Sequence, residues 1–473
     1  MIEIHIAGAG AGKTYGLAKS LIDHIKICTN HKKTFALTYT NSATTKIEQE
    51  VIKQYGSIPS NLYIQTVHSF LLNEIIFPFS SFSLGDIYNE ASIISLPTNI
   101  KLKNWHIAQL KNENIIHTER VYNIAKQIID ETVSKHNTKS KKNKINRLLA
   151  ILSECFEKIF IDEVQDLDDD ALRFFEILGK NKINVYMIGD PKQAIKYPNS
   201  LDTFIRKMSS EQNSNIANIN NITRRVPKEI LTISNNFCPA NQKQESFSEI
   251  VGELMYIESN DTKYDEILNE YINENQIVCI DKKSGRYSTS FTYKYCIPHD
   301  IEDMIRYSNH RKDKDLFLKA ALIDLTEDIL KHGGEKASSY FIMRHSLKLN
   351  TPQTAQFKDL CRKYTASDVQ FTIRSIDSVK GLEAETCVII LSPNLIKYLF
   401  TDSLPNEYHF NKEWKRMYVA LTRAKKRLVF ALDHELLERV DIISVRESIE
   451  SLSIILCNCH RIKGDRSGGH RTR

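Results

Sequence analysis

An α/β architecture built on parallel sheets is the class this sequence predicts, and three observations carry the prediction. Short apolar strands alternate with helical stretches in both halves of the chain: TFALTY, LYIQTV, KIFID and INVYMIG, then FTIRSI, TCVIIL and RLVFAL. The chain opens on a strand that runs through glycines into a helix, IEIHIAGAGAGKTYGLAKS. A later strand, in KIFIDEVQD, ends on two adjacent acids. The 473 residues leave room for roughly two to four domains with sizeable cores.

The opening element sets the chemistry. Ile2, Ile4 and Ile6 alternate as a strand does, and Leu17, Leu21, Ile22 and Ile25 recur at helical spacing. Between them lie Ala7, Gly8, Ala9, Gly10, Ala11, Gly12, Lys13 and Thr14. Strand, glycine loop and helix form the context a phosphate-binding loop requires: glycines let backbone N–H groups curl around a phosphate, and the helix N-terminus adds partial positive charge. Lys13 is placed to reach the β- and γ-phosphates, and Thr14 to hold Mg²⁺. Ala7 stands where the usual pattern has its first glycine. Nucleotide triphosphate binding follows from this stretch.

The acidic pair completes the site. A strand over Ile159 to Ile161 would present Asp162 to the metal, and Glu163 would take the proton from the attacking water.

DEVQD, then GDPKQAI (189–195), SVKGLE (378–383) and YVALTRAKKRL (418–428), in that order, resemble the motif series of UvrD/PcrA/Rep-type superfamily 1A DNA helicases. The likeness runs from residue 7 to about 430. It implies two RecA-like lobes that close on ATP and Mg²⁺. Residue by residue, it implies that Gln193 senses the γ-phosphate and that Arg225, in NNITRRVPKEI, is a γ-phosphate arginine. Arg224 then stands where the family stacks a tyrosine on adenine, Glu383 approaches the ribose, and Arg423 is the arginine finger of the second lobe. Arginines from the far lobe neutralise transition-state charge only when the cleft is shut, so hydrolysis reports closure.

The same resemblance extends to the nucleic acid, which is gripped by phosphate contacts and base stacking. FALTYTNSATTKI (35–47) offers Tyr39 at the aromatic position, with Thr40 and Asn41 as backbone contacts. YIQTVHSFL (63–71) offers Thr66, His68 and Ser69, although a lone histidine before a serine is more often a satisfied loop residue. Departures from the pattern are also visible. After GDPKQAI the family's aromatic and arginine are replaced by Lys196-Tyr197-Pro198-Asn199, which leaves Tyr197 as the stacking candidate. Asp377 stands for a histidine, which adds repulsion toward phosphate. No glutamine motif for reading adenine precedes the first strand, so strict ATP preference is less firmly implied than triphosphate hydrolysis.

The lobes are expected at 1–75 with 150–224, and at 225–285 with 366–445. Mostly helical insertions are expected at 76–149 and 286–365, and a C-terminal segment with a basic tail at 446–473. The run DKDLFLKAALIDLTEDILKHGG reads as a helix ended by Gly333-Gly334. SKHNTKSKKNKINR (134–147) reads as a solvated linker or a DNA-backbone contact. CIDKKS (279–284) reads as a strand end rather than a nuclease centre. Cys457-Asn458-Cys459-His460 has zinc-ligand types without a second pair, and reads as the end of a core segment.

A net charge of +6 is a mild basic bias, compatible with a nucleic-acid partner. No apolar run is long enough to span a bilayer and no signal peptide is expected, so the expected compartment is the cytoplasm, with free thiols. YIQTVHSFLLNEIIFPF and KIFIDEVQDLDDD also resemble the helicase-like B subunit of Gabija-type antiphage systems, which implies a nuclease partner and a defence role. Two functions remain open: a 3′-to-5′ motor on single-stranded, tailed or nicked DNA, or a nucleic-acid-dependent ATPase switch that regulates a nuclease. A metabolic P-loop kinase would leave Gln193, Arg225 and Arg423 without work.

Overall fold

A computed structural model describes residues 1–28, 31–93, 96–97, 99–133, 138–211, 214–281, 286–289, 297, 299–307, 314–365, 371–399, 411–439, 442–451 and 455–456. The chain divides into two compact units, one of residues 1–281 with 376–473 and one of residues 282–375.

The larger unit contains two parallel sheets. The first is built from β1 (Ile2–Ala7), β2 (Lys33–Thr38), β3 (Leu62–Thr66), β4 (Phe156–Ile161), β5 (Asn184–Gly189) and β6 (Ser214–Asn220), in the order β3-β2-β4-β5-β1-β6. These strands read as near-continuous apolar runs because helices cover a parallel sheet on both faces. Phe35, Phe70, Phe156, Phe174 and Phe175 fill one face, while Leu17, Leu21, Ile47, Val51 and Phe160 fill the other. The second sheet contains β7 (Glu253–Glu258), β8 (Ile277–Ile280), β9 (Ala384–Leu391), β10 (Ala424–Leu432) and β11 (Ile455–Leu456), in the order β8-β9-β10-β7-β11. Both sheets are parallel in every pairing that joins these strands.

Between β3 and β4 the chain is mostly helical, with one short strand pair, Glu90–Ser92 with Ile115–His117. Here one expectation is corrected. The described part of the lysine-rich run is no linker but the start of a helix, Lys139–Cys155, capped by Thr138. Ile145, Leu148, Leu149 and Leu152 are buried at helical spacing and fix the element, while Lys139, Lys141, Lys142, Lys144 and Arg147 stay exposed on its solvent side. Residues 134–137 lie outside the described residues, as do 282–284 of CIDKKS, the cysteines 457 and 459 with His460, and the basic tail.

Beside a short parallel strand pair, Tyr287–Ser288 with Phe371–Thr372, the smaller unit is helical: His299–Tyr307, Lys314–His332, Gly334–Arg344 and Thr351–Thr365. They pack around Ile301, Ile305, Leu325, Ala337, Phe341, Phe357 and Cys361. Gly333, at φ 79°, separates the second helix from the third. Gly334 is required by proximity, since a Cβ there would lie 2.2 Å from the Cys361 carbonyl oxygen.

Candidate functional site

The register of the first sheet aligns its acidic and glycine-rich ends. Ile6 pairs with Gly189 and Ile161 with Met187, so the loops after β1, β4 and β5 leave from one edge. After β1, Gly12 adopts φ 75° as the N-cap of the helix Lys13–Ile27, and nothing lies within 4 Å of where its Cβ would be. No side chain caps this helix start, and unpaired N–H groups at a helix N-terminus are the donors an anion needs. After β4, the Asp162 carboxylate accepts a hydrogen bond from Thr14 and one of 2.8 Å from Glu163 N–H. Burial and the neighbouring Glu163 push Asp162 up to about 7. Burial also pulls Glu163 upward, but Lys13, Lys380, Gln165 and Arg423 outweigh it and hold its carboxyl below the usual range. Glu163 sits at φ 53°, a left-handed conformation costing about 1–3 kcal/mol in a residue with a Cβ.

The other wall of the cleft comes from residues beyond β6. A Cβ on Gly8 would lie 2.3 Å from Gln244 Nε2, and one on Gly10 would lie 2.5 Å from Thr223 Oγ1 and 2.7 Å from Arg225 Cβ. Glycine is needed at these two positions for close approach of the second wall, and at Gly10 for its φ of 71° as well. Gln244 Nε2 donates to Ala9 O at 3.1 Å, and Ala9 N–H donates to the Tyr418 hydroxyl at 3.1 Å. That hydroxyl lies 2.7 Å from Gln244 Oε1 and 3.2 Å from Asp190 Oδ2.

Arg423 precedes β10 and is 2% exposed. Its hydrogen bonds go to neutral acceptors: Val419 O at 2.9 Å, Leu382 O at 3.2 Å, Thr422 Oγ1 at 3.0 Å and Gln193 Oε1 at 3.4 Å. Burial, then Arg225, pushes its pKa down to about 10, against the pull of Tyr418 and Glu163. Gln193 also donates to Asp190 Oδ2 at 2.9 Å. Arg225 pairs with Glu383 at 3.2 Å and Glu383 with Lys425 at 2.8 Å. Lys380 donates to Gln193 O at 3.0 Å and pairs with Asp166. Arg224 has an exposed side chain, and its N–H donates to Gly10 O at 3.2 Å.

This donor set fits a magnesium–triphosphate. Thr14 and Asp162 supply hard oxygens side by side, as Mg²⁺ prefers. Lys13 faces the carboxylates, and a buried guanidinium bonded to neutral acceptors, with a second arginine close by, is under-compensated until an anion arrives.

The residues expected to meet the strand form a looser cluster. Lys196 donates to the Tyr39 hydroxyl at 2.7 Å and stands 5.2 Å from the Tyr39 ring and 5.1 Å from the Tyr197 ring. His68 Nδ1 lies 3.4 Å from the Tyr122 hydroxyl, with the two rings 4.6 Å apart. Burial, then Lys196, lowers the His68 pKa, so its ring stays neutral. Thr40 and Thr66 spend their hydroxyls as N-caps, accepting from Ala43 and Ser69. Asn41 is exposed, and its carbonyl takes the Thr44 and Thr45 hydroxyls. The repulsion expected at Asp377 is cancelled, because Arg416 grips it bidentately at 2.6 and 2.8 Å.

Family comparison matches AAA-domain models at residues 2–198 and 299–435. The chain is 24% identical to the Gabija protein GajB of Bacillus cereus over 91% of its own length and 92% of that protein's. It is 20% identical to the ATP-dependent DNA helicase PcrA of Staphylococcus aureus over 77% of its length and 60% of that protein's. The chain is a helicase-like ATPase, similar to the UvrD/PcrA type. A probable DNA helicase II homologue of Mycoplasma capricolum matches this ATPase at 23% over 51% of the chain and 39% of the relative. Among solved structures, the Arterivirus nonstructural protein 10 helicase with DNA aligns at TM-score 0.36 and 11% identity over 95% of this chain and 63% of that one, too loosely to argue from.

Sequence reasoning assigned no role to three residues of this cleft. Tyr418 and Lys380 lie inside quoted motifs, so the motif itself was the available signal. Gln244 lies in a polar stretch outside any motif, and only the fold brings it to Gly8.

Proposed function

We propose that this ATPase is a motor that moves 3′ to 5′ along single-stranded DNA by repeated closure of two lobes on ATP, working in the cytoplasm. The lobes are 1–75 with 150–224 and 225–285 with 366–445, with insertions at 76–149 and 286–365. The observation that carries the reading is Arg423: a buried guanidinium just before β10 of the second sheet, hydrogen-bonded to Gln193 in the turn after β5 of the first, with Arg225 and Glu163 near enough to shift its pKa.

In this reading Lys13 and the N–H groups of residues 10–14 hold the triphosphate, and Thr14 and Asp162 hold Mg²⁺. The ion, when bound, neutralises charge on the phosphate oxygens. Glu163, ionised and aimed by Gln165, takes the proton of the attacking water. Gln193, Arg225 and Arg423 stabilise the charge that develops on the terminal phosphoryl. Arg224 and Glu383 face the nucleoside. Tyr39, Thr40, Asn41, Thr66, His68 and Tyr197 line the strand.

A second reading is favoured by Lys196, which occupies the expected stacking platform and is itself bonded to Tyr39. It is a strand-dependent ATPase switch that signals to a bound nuclease without unwinding, in keeping with the likeness to GajB. A strand-displacement assay on 3′-tailed duplex separates the two. Displacement with ATP supports the motor; strand-stimulated hydrolysis with no displacement or translocation on any tailed substrate supports the switch. Hydrolysis indifferent to strands refutes both.

A further inference from the structure

Lys415 lies on the helix Lys412–Leu421, one turn before Tyr418, and is 2% exposed. Its ammonium donates to Pro191 O at 2.8 Å and Pro198 O at 2.6 Å, and pairs with Asp202 Oδ2 at 3.2 Å. An ammonium has three N–H bonds to give, and these acceptors use all of them. All three belong to one stretch of the first lobe, residues 191–202. That stretch carries Gln193 at its triphosphate end and Lys196 and Tyr197 at its strand end. Beside it is a cavity of about 200 Å³ lined in part by Trp414, Phe237, Pro239 and Arg206. Ile195 of the stretch also belongs to the apolar cluster that includes Met417 and Tyr418, so the ammonium adds polar bonds to an apolar contact. Burial pushes the Lys415 amine's pKa down, with Asp202 opposing, so keeping a charge there is costly.

We propose that Lys415 is a positioning residue that couples the strand groove to the triphosphate pocket. It ties the carbonyl beside Tyr197 and the carbonyl two residues before Gln193 to one second-lobe charge. A strand that moves Lys196 and Tyr197 thereby moves Gln193, and the lysine sets how strongly strands accelerate hydrolysis. This rests on the strand-dependent ATPase reading above, common to motor and switch.

The test is phosphate release by the full chain with and without an oligo-dT of about 30 nucleotides, long enough for several stacked bases. In Lys415→Met we expect the stimulation ratio to fall about 10-fold, with the unstimulated rate and the oligo-dT affinity by fluorescence anisotropy within about 3-fold of the native chain. Asp202→Asn, which keeps the shape and both carbonyl bonds, should lower the ratio about 3-fold. If Lys415→Met fails to fold by thermal melt, Asp202→Asn decides alone. An unchanged ratio overturns the proposal. So does an equal fall of stimulated and unstimulated rates, which is what a merely structural lysine gives. A native chain that no strand stimulates would sink the strand-dependent reading itself, before any substitution is made.

Discussion

The proposed triphosphate side and the proposed strand side of the cleft are built to different tolerances. On the first, Arg423, Gln193 and Asp190 are buried, and glycines make room for Gln244 and Arg225. On the second, Tyr39, His68 and Tyr197 are only half-buried, and two of the expected contact residues serve as helix caps. Charge developing on one phosphoryl group must be met at fixed points, whereas a base stacks on any aromatic face of suitable tilt. The difference teaches why the first side follows its motif closely and the second departs from it at Lys196-Tyr197-Pro198-Asn199.

Substitutions can break that contrast, starting with the largest expected effect. Lys13→Ala should lower phosphate release by about three orders of magnitude, since it removes the one lysine of the loop. Near-normal turnover would mean that the loop holds no triphosphate. Arg423→Ala should leave fluorescent-nucleotide affinity within a few-fold and cut turnover about 100- to 1,000-fold. Weakened binding with turnover intact would move the arginine out of the finger role. On the other side, Tyr39→Ala combined with Lys196→Ala should weaken oligo-dT binding about 10-fold while the strand-free rate stays within about 3-fold. A fall in the strand-free rate as large as the loss of binding would erase the division between the two sides.

Gly8→Ala is a finer probe. It should slow turnover several-fold by pushing Gln244 off Ala9, and Gly8→Ala with Gln244→Ala should recover part of the loss, because the obstructing amide is gone. No recovery would place the need for glycine in the phosphates rather than in the second wall.

Asp377→Asn is the smallest. Arg416 and Lys412 hold this carboxyl below its ordinary value. Its stabilisation is therefore present above the unfolded value, near pH 4, and is lost as pH falls through the folded one. The pair is partly exposed, so the loss at neutral pH should be under about 1 kcal/mol and should vanish in acid. Urea midpoints of the two chains at neutral and acid pH measure it, and a difference that grows on acidification contradicts the assignment.

The strand, turn and helix of the proposed nucleotide side were legible because they are local. IEIHI, three glycines and the spacing of Leu17 and Leu21 need no tertiary knowledge. Gln244 was illegible because its role is a 3.1 Å hydrogen bond to Ala9 O, 235 positions away, which no local pattern encodes. The lysine-rich run misled for the opposite reason: its charges dominate the composition, while of the residues that make it a helix Ile145 comes near its end and Leu148 just beyond it. Asp377 misled because a departure was weighed by itself. Its partner Arg416 lies 39 residues on, and charge can be judged only as a pair.

A phenol has a single proton to give, and at Tyr418 two acceptors compete for it while Ala9 N–H occupies a lone pair. The contact to Gln244 is the shorter, at 2.7 Å against 3.2 Å, so the proton points there. Asp190 can spare it, since Gln193 donates to the same oxygen and Lys192 sits 2.9 Å from the other. The hydroxyl is thus a strut for the opening loop, and its loss would slacken that loop's backbone while leaving the aspartate fully tethered.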